Sequence, residues 1–253
     1  MRLLLGGKQP TAYRGHNILM DCEILIGWDA RERLAWEVCA RSIIRNSKLP
    51  PPIRPIGIAT LDGLYTRPTE RRDQVLYDKI SNAPMSTEFA LARFFVPLVS
   101  KARWALFCDG DFMFRADVAE LFALADPHFA VQVVKHDHHP AERLKMDGQP
   151  QTDYPCKNWS SLILWNLKHA SANRIWNADA NLRPGLWLQR FGWLNDAEIG
   201  ELPVEWNFLE GSSDPAIDPK AVHFTNGTPD MPGFENSVHA YEWGSYLSGR
   251  MAA

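Results

Sequence analysis

The chain has 253 residues, of which 45% are hydrophobic and 23% are charged, as in an ordinary globular protein. Lysine and arginine total 27 and aspartate and glutamate total 30, so the formal net charge of −3 argues against nucleic-acid binding. No run of about 18 apolar residues is present to span a membrane, and the four cysteines form no Cys-x-x-Cys pair, which argues against a structural zinc site or a disulfide framework.

In chain order, we expect residues 1–20 to be a leader of uncertain order and residues 21–253 to be a single domain. Apolar runs and helical spacing predict alternating strands and helices. Strands are predicted at 23–29, 53–58, 104–108, 129–134, 159–166, 200–207 and 221–224. Helices are predicted at 31–46, 86–98, 116–124, 191–199 and 237–247, and loops at 61–84 and 135–157. This order predicts an α/β fold with a mainly parallel central sheet flanked by helices.

Two carboxylates stand one residue apart in Trp104-Ala-Leu-Phe-Cys-Asp109-Gly-Asp111. The apolar run before them is typical of a buried parallel strand, so Asp109 and Asp111 fall at its carboxyl end, where open α/β sheets bind ligands. A divalent cation offsets the repulsion between two such carboxylates, and hard oxygen ligands suit Mg²⁺ or Mn²⁺ with phosphate oxygens completing the shell. The pair therefore predicts a metal-bridged site for a phosphorylated or nucleotide ligand, with a plain surface turn as the alternative.

The order of several further segments resembles glycosyltransferases of the GT-A (Rossmann-like) fold, most closely the family 8 type that includes glycogenin-like and lipopolysaccharide galactosyltransferase-like enzymes. The segments that carry the resemblance are Ile24-Leu-Ile-Gly-Trp28-Asp29, Ser86-Thr-Glu-Phe-Ala-Leu-Ala-Arg93, Ala105-Leu-Phe-Cys-Asp109-Gly-Asp111, Asn158-Trp-Ser-Ser161, Leu202-Pro-Val-Glu-Trp206-Asn207 and His223-Phe-Thr-Asn-Gly227. The resemblance implies a nucleotide-binding half at 21–134 and an acceptor half at 135–253.

What the resemblance implies for individual residues falls into four groups. The metal ligands are Asp109, Asp111 and His223, holding Mn²⁺ or Mg²⁺. The nucleotide-binding residues are Gly27, Trp28, Asp29, Arg93, Asp109, Gly110, Asn226 and Gly227. The catalytic candidates are Asp137, Asn158 and Gln189. The sugar and acceptor contacts are Ser160, Ser161 and Trp206.

The implied function is a metal-dependent, retaining transfer of a hexose from a UDP-sugar to a glycan, lipid-linked or small acceptor. The implied partners are that UDP-sugar donor and a carbohydrate or glycolipid acceptor. Free thiols and the lack of a signal peptide favour a cytoplasmic location, either in solution or peripherally at the inner face of a membrane.

The chain departs from the family pattern at two places. Gly227 is followed by Thr228-Pro-Asp230, where the family has a lysine that contacts the diphosphate, and Gln189 lacks the aspartate that usually precedes it. Two alternatives therefore stay open: a nucleotidyltransferase that makes a nucleotide sugar, and a catalytically degenerate protein that binds one. Arg67, Arg71 and Arg72 are expected to form an exposed charge run, and His136, His138 and His139 a solvated cluster.

Overall fold

The computed structural model describes residues 21–73, 75–136, 156 and 158–247. Its strands are β1 (Cys22–Gly27), β2 (Ile53–Ile56), β3 (Thr69–Arg72), β4 (Val75–Asp78), β5 (Ala83–Met85), β6 (Trp104–Cys108), β7 (Phe112–Phe114), β8 (Val131–Val133), β9 (Leu162–Asn166), β10 (Ile199–Glu201), β11 (Phe208–Leu209) and β12 (Ala221–His223). Its α-helices are α1 (Arg33–Asn46), α2 (Val96–Val99), α3 (Val118–Phe122), α4 (Asn177–Leu182), α5 (Gly185–Gln189) and α6 (Ala240–Ser245).

The central sheet has six strands in the order β10-β8-β9-β6-β1-β2. The pairs β1–β2, β1–β6 and β8–β10 are parallel, whereas β9 runs antiparallel to both β6 and β8. The predicted α/β class with a mainly parallel sheet is confirmed. Because β1 and β6 are parallel neighbours, the segments that follow their carboxyl ends lie at the same edge of the sheet.

Alternate residues of the central strands face two separate parts of the core. Leu25, Phe107 and Trp165 belong to the cluster that contains the aromatic residues before α2. Ile24 and Leu106 belong to the cluster on the other face, which α1 covers. This alternation, with apolar residues on both faces, is what a strand buried between two helical layers requires. Both clusters contain residues from the predicted nucleotide-binding half and from the predicted acceptor half. The separate roles of the two halves remain a prediction.

A second, three-stranded sheet has the order β11-β12-β7. In it β7 pairs antiparallel with β12, and Phe112 lies opposite His223. α1 packs against β7 as well as β1, which fixes this small sheet beside the central one. The carboxyl end of β12 is thereby brought to the turn between β6 and β7.

Four predicted elements differ from the structure. The strand predicted at 200–207 ends at Glu201 in β10, and a 3-10 turn, Val204–Asn207, replaces its second half. The segment 61–84, predicted as a loop, contains the antiparallel sheet β3-β4-β5. The helix predicted at 86–98 is reduced to a 3-10 turn at Ala92–Phe95 followed by α2, and the backbone N–H of Glu88, near the predicted helix start, donates to the side chain of Asp29. The helix predicted at 191–199 is absent from this described segment, since Phe191 has a φ of 52° and only a 3-10 turn, Asp196–Glu198, follows.

Among the residues that the structure describes, no helix is long and apolar enough to cross a membrane.

Candidate metal and nucleotide site

Three predicted metal ligands meet at the edge where β6 ends. Asp109, Asp111 and His223 each place one ligand atom within 4.8 Å of the others. The backbone explains the meeting: Asp109 N donates to Ser161 O at 2.9 Å, and Phe224 N donates to Asp111 O at 3.1 Å. The turn after β6 is thus held by the start of β9 on one side and the end of β12 on the other.

The donor atoms fit a divalent cation. Asp111 Oδ1 lies 3.4 Å from His223 Nε2 and is a buried oxygen with no hydrogen-bond partner among the described residues. Two carboxylates and one imidazole are a ligand set that suits Mn²⁺ or Mg²⁺ and leaves coordination positions for phosphate oxygens. The His223 ring stacks on Phe112, with centroids 4.4 Å apart, so its plane is fixed before any ligand arrives.

The cluster is short of positive charge. Burial, helped by the neighbouring Asp111 carboxylate and opposed by the guanidinium of Arg93, raises the pKa of Asp109 to about 7. Arg93 Nη2 lies 2.9 Å from Asp109 Oδ1. One guanidinium for two close carboxylates leaves room for a further cation, which is the condition that favours metal binding.

Arg93 also reaches the predicted sugar pocket. Its Nη1 donates to the backbone oxygen of Ser160 at 2.7 Å. Ser160 Oγ in turn donates to Gln189 Oε1, and Gln189 Nε2 donates to Ala90 O at 3.2 Å. The structure therefore brings Arg93, Ser160 and Gln189, which are far apart in the sequence, into one network beside Asp109. Their roles stay predictions.

Asn158 lies at the entrance to β9. Its backbone has a φ of 64°, in the left-handed region that asparagine tolerates better than most residues. Its carbonyl accepts from Ser161 Oγ at 2.7 Å, which leaves Ser161 buried and turned into the protein. The third catalytic candidate, Asp137, lies outside the described residues, as do His138 and His139.

At the predicted nucleotide-binding residues, the turn after β6 lies very close to the backbone at the end of β1. A Cβ atom built on Gly110 would lie 2.6 Å from the carbonyl oxygen of Gly27. The lack of a side chain on Gly110 therefore lets the turn after β6 pack directly against the end of β1, while Gly27 leaves room for the Phe89 ring. Asn226 and Gly227 follow His223 in a turn whose Gly227 has a φ of 152°, and Gly227 N donates to Phe224 O at 3.0 Å.

Asp29 is buried, and its carboxylate accepts several hydrogen bonds. It accepts from Arg31 N and Arg31 Nε, each at 3.0 Å, and from Glu88 N at 3.0 Å. Although burial raises the pKa of Asp29, the hydrogen bonds from Arg31 and Glu88 outweigh it and hold that pKa below its usual value. The preceding Trp28 is half-buried, with its ring edge-on to Trp36. Asp29 thus shapes the segment after β1.

Two expectations for single residues are wrong. Trp206 is 1% exposed and packs in the core under α1, so its ring is not available to stack on an acceptor sugar. Arg67, expected in an exposed charge run, is buried as an ion pair with Asp78. Arg71 and Arg72 are exposed, as predicted.

Two residues at the site were missed in the sequence. Asn207 contacts His223 from beneath, and its place next to Trp206 in a resemblance segment was the available signal. Glu32 ends the 3-10 turn after β1, and burial, together with the charges of Asp111 and Asp29, raises its pKa to about 8. No sequence spacing pointed to Glu32, because it belongs to the helical run that begins at Arg31.

Comparison with known proteins gives one sequence relative and several structural ones. No protein-family model matches the chain. The chain is 40% identical over 244 residues to the Arabidopsis thaliana protein named Protein CDI, covering 93% of this chain and 90% of that protein.

Several solved structures of glycosyltransferases are similar to this chain. The galactosyltransferase LgtC, in complex with donor and acceptor sugar analogues, has a TM-score of 0.55 at 13% identity, covering 91% of this chain and 97% of that chain. The glycosyltransferase GlyE of Streptococcus pneumoniae TIGR4 has a TM-score of 0.55 at 14% identity, covering 88% of this chain. The bifunctional WbbM has a TM-score of 0.50 at 17% identity. The chain spans 59% of the GlyE chain and 51% of the WbbM chain.

Proposed function

The chain belongs to the family of the Arabidopsis thaliana Protein CDI and has the GT-A fold of glycosyltransferases, and on this basis we propose that it is a metal-dependent glycosyltransferase. In this proposal it transfers a hexose from a UDP-sugar to a carbohydrate or glycolipid acceptor. The observation that carries the proposal is the convergence of Asp109, Asp111 and His223 at the carboxyl edge of the sheet.

In the proposed site, Asp109, Asp111 and His223 would hold Mn²⁺ or Mg²⁺, and this cation would supply Lewis-acid neutralisation of the charge on the departing diphosphate. Gly110 lets the turn that carries Asp109 and Asp111 lie directly against the Gly27 backbone, and the proposal puts the nucleotide beside these residues. Arg93 balances the charge of Asp109 and orients Ser160.

The sugar side of the proposal uses the network that ends at Gln189. Ser160 holds the Gln189 carboxamide oxygen, and Ala90 O holds its nitrogen, so the side chain is fixed beside Asp109 through Arg93. We place the transferred hexose between this network and the metal ligands, with Asn158 at its border. Retention of stereochemistry is part of the same proposal.

The first test is binding of UDP in the presence of Mn²⁺, measured by isothermal titration calorimetry. Asp111→Asn keeps the shape of the side chain but removes its charge, so we expect UDP binding to be lost with little change in stability. Asp218→Asn is the matched control, because Asp218 is 96% exposed and paired with Arg115 away from the site. Unchanged UDP affinity in Asp111→Asn contradicts the proposal.

A second assay separates the proposal from its alternatives. We expect slow release of UDP from one member of a UDP-sugar panel when Mn²⁺ is present and an acceptor is absent. Release of pyrophosphate from a nucleoside triphosphate would instead favour the nucleotidyltransferase. Binding of a UDP-sugar without any release, with and without candidate acceptors, would favour the degenerate binder.

We also propose that the protein works in the cytoplasm. The four cysteines are free, and three of them are buried, which fits a reducing compartment. Cell fractionation with a tagged chain tests this placement and distinguishes a soluble pool from peripheral attachment to a membrane, which salt extraction would release.

A further inference from the structure

The Nδ1 side of the His223 ring contacts the side chain of Asn207. His223 Nδ1 lies 3.1 Å from Asn207 Oδ1, on the side of the ring away from Asp111, which faces Nε2. Asn207 is completely buried. It ends the 3-10 turn Val204–Asn207 that leads into β11, and β11 is the neighbour of the strand that carries His223.

The orientation of the Asn207 carboxamide follows from its other contacts. Asn207 Nδ2 lies 3.3 Å from Asn158 O and 2.9 Å from Ser161 Oγ. A backbone carbonyl can only accept a hydrogen bond, so the atom that faces Asn158 O must be the amide nitrogen. Ser161 Oγ donates its own proton to that same carbonyl, so it too accepts from Nδ2.

The carboxamide oxygen is consequently the atom that faces the imidazole. An oxygen without a hydrogen can only accept, so His223 Nδ1 must carry the proton. In the neutral ring this leaves the lone pair on Nε2, which points to Asp111 Oδ1 at 3.4 Å. Without such a partner the nearby Asp111 carboxylate would favour the opposite tautomer, with the proton on Nε2.

We infer that Asn207 is the positioning residue that sets the tautomer of His223 and thereby presents Nε2 as a metal ligand. The inference rests on the proposed metal site. Because Asn207 also holds Asn158 and Ser161, the same carboxamide ties the metal ligand on β12 to the segment before β9. Loss of such a partner of a metal-binding histidine typically lowers metal affinity by about 10- to 100-fold.

The tautomer can be read without any metal. Nitrogen-15 NMR of histidine-labelled protein in alkaline buffer distinguishes Nδ1–H from Nε2–H, and the His223 signals are those that disappear in His223→Gln. We expect Nδ1–H in the native protein and in Asn207→Asp, which keeps an acceptor, and a shift to Nε2–H in Asn207→Leu. A native His223 protonated at Nε2 would overturn the inference, whatever the variants do.

Affinity for Mn²⁺ is the second readout, measured by electron paramagnetic resonance of free Mn²⁺. We expect Asn207→Leu to weaken binding by about 10- to 100-fold, while the exposed control Asp218→Asn keeps both the tautomer and the affinity of the native protein. Equal Mn²⁺ affinity in the native protein and in folded Asn207→Leu would contradict the inference about Asn207 but not the proposed function. Failure of the native protein to bind Mn²⁺ contradicts the proposed function, while the NMR result still decides the tautomer.

Discussion

At the scale of single residues, the site depends on the lack of a side chain at Gly110 as well as on its charged groups. The turn that carries Asp109 and Asp111 rests on the end of β1, and the contact leaves no space for a side chain on Gly110. The obstacle is the Gly27 carbonyl oxygen, which belongs to the central sheet and cannot move aside as a flexible side chain could. The spacing of the two carboxylates relative to His223 thus depends on this backbone contact.

Gly110→Ala should therefore weaken ligand binding at the site, although it adds only one methyl group. The added Cβ would lie 2.6 Å from Gly27 O, so the turn must shift, at an expected cost of about 1–3 kcal/mol in the free energy of unfolding. We expect weaker Mn²⁺ and UDP binding in calorimetry. Gly244→Ala on α6 is the control, because a Cβ there meets no atom within 4 Å; equal ligand affinity in both variants would show that the close contact is unimportant.

At the scale of elements, a buried ion pair joins the sheet β3-β4-β5 to α4. Arg67 and Asp78 have side-chain exposures of 0% and 1%, with Nη2 and Oδ2 separated by 2.6 Å. Arg67 also donates to the backbone oxygens of Ala180 and Arg183, which lie at the end of α4. A buried charge is tolerated only when its hydrogen bonds are satisfied in this way. The segment predicted as an exposed loop is thereby anchored.

Asp78→Asn should destabilise the protein by about 3–5 kcal/mol, because it leaves the Arg67 guanidinium buried without its counter-charge. Urea or guanidinium unfolding measures the change in the free energy of unfolding. Asp179→Asn provides the matched control, since its ion pair with Arg183 is partly exposed on the surface of α4 and such pairs contribute about 0.5 kcal/mol. A similar small loss in both variants would mean that the buried pair does not anchor the sheet.

The ion pair between Arg67 and Asp78 also predicts how the free energy of unfolding depends on pH. Burial alone would raise the pKa of Asp78, but the hydrogen bonds from Arg67 and Ser81 outweigh it and hold that pKa below its usual value. A lowered pKa in the folded state stabilises the protein fully above the unfolded value of about 3.9, and the gain is lost as the pH falls through the folded pKa. The difference in stability between native protein and Asp78→Asn should thus be constant near neutrality and shrink below about pH 4.

Local pattern was enough for some elements and not for others. The apolar run ending at Cys108 predicted both β6 and the position of the two carboxylates, because burial on both faces leaves a signal in the sequence itself. Arg67 could not be predicted, since the carbonyls that satisfy it come from α4, more than a hundred residues later in the chain. Trp206 shows the converse: a resemblance segment suggested a sugar contact, while packing under α1 decided its burial.

At the scale of the whole molecule, the site lies where the central sheet and the small sheet β11-β12-β7 meet. The central sheet supplies the turn after β6, and the small sheet β11-β12-β7 supplies His223 and the support of Asn207. The pairing of β7 with β12, like the antiparallel entry of β9 between β6 and β8, is a long-range contact with no local signature. The sequence therefore predicted the ligand types through local motifs and resemblance, whereas Asn207 emerged only from the assembled sheets.

Because the ligands come from separate parts of the fold, occupation of the site should stabilise the entire domain. A ligand that binds only the folded state at 100 times its dissociation constant adds about 2.7 kcal/mol, which corresponds to a rise of about 5–10 °C in melting temperature for a chain near this length. We expect that rise when Mn²⁺ and UDP are added together, and a much smaller one with UDP alone, because Asp109 and Asp111 would hold the cation that neutralises the diphosphate. Asp218→Asn should follow the native protein and Asp111→Asn should show no rise. An equal rise in Asp111→Asn would place the nucleotide elsewhere on the molecule.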